Sequence, residues 1–230
     1  MKKILSLTLC AVLLAGCTAA STKKTTATAT PTPTPTPSAT ASAASDDDNI
    51  ASPFELRTKT LDMSGYQFLT DTDPAFLQVT MEESLRLITQ AGTGIIIYSY
   101  PACPYCNRAV PILNEAAKEM GVKIYYVNVF EKELLNSDGK SFSTTGKALI
   151  NLMLKDYDSI VTHTTNATTG VLEPELLTPE VVAIKDGKIV GHHTSLLDGV
   201  SIKSASDQLT DDQKKQLKQI YEDLIKAVQA

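Results

Sequence analysis

Tryptophan is absent from this sequence, aromatic residues make up only 6% of it, and histidine occurs three times. So few flat rings exclude a platform for stacking nucleobases. Positive charge is also short, with 21 Lys and Arg against 26 Asp and Glu and a formal net charge of −5. Nothing in that balance would neutralise a phosphate backbone, so a nucleic-acid partner is excluded as well. A long hydrophobic run is missing: Ile4 to Leu14 is roughly half of what a bilayer-spanning helix needs. Cysteine is scarce, and its four positions are Cys10, Cys17, Cys103 and Cys106. No pair is left over for a structural disulfide framework. The charged fraction is an ordinary 20%, and 230 residues suffice for one globular domain plus a tail.

The N-terminus reads as an address. Met1-Lys2-Lys3 is a basic start, Ile4 to Leu14 is a signal-like apolar stretch, and Leu14-Ala15-Gly16-Cys17 places two small residues before a cysteine. That segment resembles a bacterial lipobox. The resemblance implies a signal peptide over 1–16, cut before Cys17, and a diacylated Cys17 that holds the protein on the extracytoplasmic face of a Gram-positive cell membrane. Two acyl chains make a stable anchor where one does not. An ordinary signal peptide with an incidental cysteine is the alternative. Residues 17–50 follow as a tether. Positions 18–45 hold only Ala, Ser, Thr and Pro apart from Lys23 and Lys24, with Thr and Pro alternating from Thr30 to Pro37. No side chain there can build a core, so the stretch is expected to be disordered, with extended polyproline character and a reach of roughly 100 Å.

From residue 51 to 230 the pattern is globular. Thr80-Met81-Glu82-Glu83 is a capping box opening a helix that ends near Gly92. Gly94 to Tyr100 is a continuous β-branched, apolar run, which predicts a strand buried on both faces. A helix follows Cys106 up to Met120, with a stop at Gly121, and Val122 to Val129 is a second buried strand. Val181 to Ile184 and Lys188 to Val190 flank Asp186-Gly187, a strong hairpin signal. A second capping box at Thr210 precedes an apolar stripe of Leu217, Ile220, Tyr221, Leu224, Ile225 and Val228 at helical spacing. The order predicts an α/β sandwich with helices on both faces.

The chemistry concentrates in Cys103-Pro104-Tyr105-Cys106. A strand feeding into two cysteines three apart at a helix start puts both sulfurs on one face, within reach of a small disulfide. Cys103 would sit where unpaired N–H groups and the helix dipole favour a thiolate. Pro104 suits the first turn, where a missing N–H costs nothing. Cys103 is then the more exposed, attacking thiol and Cys106 the resolving one. Two inert thiols or a fixed bridge remain an alternative, although so short a loop makes a poor staple. A half zinc site is another, but no second ligand pair is present and His192-His193 in a strand would face opposite ways, leaving His163 alone.

These residues resemble the thioredoxin superfamily, over about 92–129 and 174–230. The Pro-Tyr dipeptide between the cysteines is the variant common in glutaredoxins. Pro111, Thr178-Pro179 and Lys185-Asp186-Gly187-Lys188 match the family's helix proline, cis-proline and hairpin. The resemblance implies a thioredoxin-like three-layer sandwich with an insertion at about 130–173, which contains a helix from Lys147 to Asp156. It implies catalysis by Cys103 and Cys106 and support from Pro104, Tyr105, Thr178 and a cis Pro179. No metal or cofactor is expected beyond the redox-active Cys103–Cys106 disulfide. The expected partners are thiols and disulfides of secreted or envelope proteins, together with a membrane redox partner. The Tyr-Pro-x-Cys-Pro-Tyr-Cys segment is also similar to bacteriocin transport accessory proteins, which leaves open a non-catalytic secretion module on the same fold. Two positions depart from the superfamily pattern: its buried acid is replaced by Ile97, and its buried lysine falls near Tyr126. No internal ionisable base is then evident for Cys106.

Overall fold

The computed structural model describes residues 54–230, so the expectations for the signal peptide, Cys17 and the tether lie outside the described residues. The elements run β1 (Phe76–Gln78), α1 (Met81–Thr89), β2 (Gly94–Ser99), α2 (Cys106–Glu119), β3 (Ile124–Asn128), α3 (Thr144–Asp156), β4 (Thr162–Thr165), β5 (Leu172–Glu175), β6 (Glu180–Lys185), β7 (Lys188–Thr194) and α4 (Asp211–Gln229), with a 3-10 turn at Lys132–Leu134. Five strands form one sheet in the order β1-β3-β2-β6-β7. β1, β3 and β2 are parallel, β6 is antiparallel to β2, and β7 is antiparallel to β6.

The continuous apolar run in β2 reflects cover on both faces, since successive side chains in a strand point opposite ways. Ile95 and Ile97 enter one core with Val110, Leu113 and Ala117 of α2 and Leu217, Tyr221 and Ile225 of α4. Ile96 and Tyr98 enter the other with Leu85 and Leu87 of α1 and Met153, Leu154 and Tyr157 in and just after α3. The result is the expected thioredoxin-like three-layer sandwich. The hairpin turn is where the sequence placed it, with Asp186 at φ 50° and Gly187 at φ 72°, the left-handed pair that a two-residue hairpin needs. Pro111 lies inside α2, where its missing N–H leaves the Asn107 carbonyl without a helical partner.

Two features add detail to the sequence reading. The stretch 130–173 is largely a structural layer, because α3 covers the second face of the sheet beside α1. Only β4 and β5 stand apart, pairing with each other as a small, exposed antiparallel sheet. The segment 54–79, to which the sequence assigned no element, adds β1 to the sheet and lays Leu56, Met63 and Tyr66 into the cores.

Candidate active site

β2 ends at Ser99, and the chain turns through Tyr100, Pro101 and Ala102 to Cys103. The regular part of α2 begins at Cys106, but Cys103 caps it. Its carbonyl accepts from the Asn107 N–H at 3.1 Å, and its Sγ accepts from the Cys106 N–H at 3.1 Å. A sulfur thus takes the place that a Ser or Asp oxygen fills at an ordinary helix start. The turn is pinned by Asn107, whose Nδ2 donates to the carbonyls of Pro101 and Cys103 at 2.6 and 3.0 Å. Asn107 Oδ1 accepts the Gln67 N–H at 2.7 Å. Arg108 Nη1 donates to the Pro104 carbonyl at 3.0 Å.

The second half of the fold closes over the sulfur. Thr178-Pro179 is cis and leads directly into β6. The Thr178 carbonyl accepts from Cys103 Sγ at 3.5 Å, and the Thr178 hydroxyl donates back to Sγ at 3.7 Å. The structure therefore brings Cys103, Cys106, Pro104, Tyr105, Thr178 and Pro179 to one place, 75 positions apart in sequence at its widest hydrogen bond. Cys103 is the more accessible of the two sulfurs, as its place in the sequence implied, but both are deeply covered. It is 3% exposed against 0% for Cys106, because Thr178 lies across it.

Both cysteines are unbridged in this structure. Their surroundings drive them apart electrostatically. Hydrogen bonding from the Cys106 thiol, its N–H, the Thr178 hydroxyl and the Tyr105 N–H outweighs burial, and Cys103 is pulled down to about 6. Cys106 goes the other way, because burial and the charge on Cys103 both oppose a second thiolate; the Ser99 hydroxyl and Tyr100 N–H offset this only in part. The sign for reactivity follows. Cys103 is a thiolate above about pH 6, so its alkylation by iodoacetamide should rise between about pH 5 and 7 and level off above, while Cys106 stays unmodified in the folded protein. Mass spectrometry of the alkylated protein reads both sites, and a midpoint above 8 at Cys103 would contradict this geometry.

Several polar residues around the site carried no signal strong enough to be singled out. Asn107 and Arg108 are buried although they directly follow Cys106, and α2 is enclosed nearly all round. Ser99 and Tyr66 are buried on the cysteine side, their hydroxyl oxygens 2.7 Å apart. Glu180, next to Pro179, is 1% exposed with its oxygen 3.0 Å from His192 Nδ1. Burial pushes its carboxyl up, against hydrogen bonds from Thr194 and His192. His192 and His193 do face opposite ways: His193 packs edge-on to Tyr221 on the α4 side. His163 is in β4 beside Asp158, and among the described residues no three His, Cys, Asp or Glu are grouped as metal ligands.

Beside the cysteine site the 130–176 stretch forms a groove of about 360 Å³. Tyr100 and Thr178 are its wall on the site side, and Phe130, Phe142, Ile150, Leu154 and Leu176 make the rest apolar. Phe130 is 40% exposed and stacks on Phe142, with ring centres 5.3 Å apart.

The glutaredoxin family model matches residues 95–146, from β2 through both cysteines to the start of α3. Curated proteins supply no matching relative. Two solved structures are similar: a candidate oxidoreductase with a thioredoxin fold, 12% identical over 51% of this chain and 82% of its own, TM-score 0.33, and thioredoxin from Aeropyrum pernix, 22% identical over 51% of this chain and 73% of its own, TM-score 0.31. The thioredoxin-like fold stated above stands on the strand order and the two covered faces, and the paired cysteines on that fold suggest chemistry of the thiol-oxidoreductase type.

Proposed function

We propose that this protein is an extracytoplasmic, membrane-anchored thiol–disulfide oxidoreductase acting on secreted or envelope proteins through Cys103 and Cys106. The observation that carries this is Cys103 Sγ capping α2 against the Cys106 N–H and Thr178. A sulfur so placed is a thiolate near neutral pH, which is the form that attacks a disulfide. Cys103 attacks one sulfur of a client disulfide; a Cys103–client bond forms, and the other client sulfur leaves and takes up a proton. Cys106 then attacks Cys103 Sγ, the second client sulfur leaves, and the pair is left oxidised while the client holds two thiols. Run backwards, the Cys103–Cys106 disulfide oxidises a client dithiol. A dithiol or disulfide partner at the membrane resets the pair. Exchange on a disulfide-containing test protein should be lost with Cys103→Ser, and retention of wild-type rates would overturn the proposal.

The anchor rests on the lipobox-like Leu14-Ala15-Gly16-Cys17. Cys17→Ala is expected to move the protein from the detergent phase to the medium or to leave it unprocessed; unchanged partitioning would contradict the anchor. The groove favours a second reading, a module of the bacteriocin-transport-accessory kind that holds an apolar stretch of a secretion partner. Such a module would keep its cellular function in the Cys103→Ser variant, whereas an oxidoreductase would not.

A further inference from the structure

Four consecutive residues ahead of β1 each meet a different residue of the segment that carries the cysteines. Gly65 lies so close to the Pro101 ring that a Cβ on it would stand 2.6 Å from Pro101 Cβ and 3.0 Å from Cγ. The Tyr66 hydroxyl is 2.7 Å from Ser99 Oγ. The Gln67 N–H donates to Asn107 Oδ1 at 2.7 Å, and Arg108 lies over the Phe68 ring at 4.7 Å. This strap is braced by two turns of its own: the Tyr66 N–H donates to the Met63 carbonyl at 3.1 Å, and the Leu69 N–H to the Tyr66 carbonyl at 3.2 Å. Met63 and Tyr66 anchor it in the core that also holds Cys103 and Cys106. None of these contacts touches a sulfur, so the strap acts on the cysteines through the backbone of their turn.

Asn107 is the link. Its side-chain bonds all run to backbone: Oδ1 accepts from Gln67, and Nδ2 donates to the Pro101 and Cys103 carbonyls at 2.6 and 3.0 Å. An N–H only donates and a carbonyl only accepts, so the Gln67 N–H fixes which end of the amide faces the turn. The bond from the Cys106 N–H to Cys103 Sγ depends on where that turn lies, because a hydrogen bond weakens steeply as its angle closes. Gly65 does not have a positive φ, so what the position needs is the missing Cβ. A methyl there falls short of the 3.4 Å at which ordinary contact begins, and Pro101 Cβ belongs to a ring fused to the backbone. Either Pro101 gives way, or the strap lifts and takes the Gln67 N–H off Asn107. Both outcomes loosen the turn.

We infer that residues 65–68 form a clamp that sets the position of the cysteine turn, with Gly65 and Asn107 as positioning residues for the Cys103 thiolate. The purpose of the clamp rests on the oxidoreductase reading above. Thr178 touches Cys103 Sγ directly from the start of β6, whereas the clamp places the backbone from which that sulfur projects. The segment ahead of β1 thereby serves the site as well as the sheet.

The test measures the pH midpoint of iodoacetamide alkylation at Cys103 in the reduced full-length protein in detergent. Mass spectrometry reads each cysteine separately, and chemical denaturation gives the stability of every variant. Gly65→Ala should move the midpoint upward from about 6 by about one unit, a tenfold loss of thiolate below it. In a Pro101→Gly background the added methyl has lost both atoms it would meet within 4 Å, so Gly65→Ala should cause no further shift. Asn107→Ala should move the midpoint up by more than Gly65→Ala does. The titratable groups facing the cysteine pair are the phenols of Tyr100, Tyr66, Tyr126 and Tyr221, all pushed up by burial, and Cys106 is pushed up as well, so Cys103 changes charge before any of them. Arg108 keeps its charge throughout. Glu180, also pushed up by burial, is on β6, which no variant alters. A midpoint no higher than wild type in Gly65→Ala or in Asn107→Ala would overturn the inference, even with lowered stability, because it marks a merely structural contact. An equal further shift in the Pro101→Gly background would also overturn it, since the methyl would then act elsewhere. The oxidoreductase reading fails separately, if Cys103→Ser keeps wild-type exchange.

Discussion

Envelope fractions of cells carrying Cys106→Ser should contain the protein covalently joined to its clients, and those carrying Cys103→Ser should contain none. The first substitution removes the resolving sulfur and leaves the attacking one. A serine hydroxyl at 106 is not acidic enough to attack a disulfide, so the Cys103–client bond can break only by a slower external thiol. The cap that makes Cys103 a thiolate also survives in part, because the Cys106 N–H that donates to Cys103 Sγ at 3.1 Å is backbone and is kept by serine. Adducts should therefore rise from a trace to a large share of the protein on non-reducing gels and collapse to one band on reduction. The reciprocal variant loses the sulfur that Thr178 faces, and Cys106 at 0% exposure cannot reach a protein client in its place. Equal adducts from both variants would contradict the assignment of roles.

The largest effect on stability is expected from Arg108→Ala. Arg108 is 5% exposed, and its guanidinium donates to four carbonyls: Pro104 at 3.0 Å, Ala205 at 2.6 Å, Asp207 at 2.7 Å and, more weakly, Ser204 at 3.4 Å. It also lies over the Phe68 ring at 4.7 Å. One side chain thus ties the cysteine turn to the loop that leads into α4. Truncation leaves those carbonyls without their donor in a site that water enters poorly, a loss of about 3–5 kcal/mol. Arg108→Lys should recover only part of it, since an ammonium has three donors and no planar fork. Chemical denaturation reads the difference. A loss under 1 kcal/mol for the alanine variant would mean that the loop is held by other contacts.

The parts of this fold that could be read from sequence are those whose cause is local. β2 announced itself because both of its faces are covered, so three isoleucines and a tyrosine run consecutively through its centre. The Asp186-Gly187 turn, the capping boxes at Thr80 and Thr210 and the Cys103/Cys106 spacing each carry their signal within a few residues. What escaped depends on partners far along the chain. Tyr66, Asn107 and Arg108 look like surface residues, and Ser99 like an unmarked end of a buried strand, until the fold brings Tyr66 to Ser99 across 33 positions and Arg108 to Asp207 across 99. β1 has three residues and no alternation to betray it. β4 and β5 are exposed and polar, and Pro174 argues against a strand in sequence, though at an unshared edge it costs no ladder bond. The covering of Cys103 by Thr178 has no local signal for the same reason, since the two are 75 positions apart.

The central claim is that Cys103 and Cys106 are one two-electron redox unit, and it is tested most directly by equilibrating the purified protein in glutathione buffers of graded potential and counting free thiols at each position by mass-tagged alkylation. The account predicts a single reversible transition in which the thiols of Cys103 and Cys106 appear and vanish together, at a potential inside the range of about −270 to −120 mV spanned by exchange-active pairs. Two thiols that titrate independently, or that remain reduced across the whole series, would contradict it.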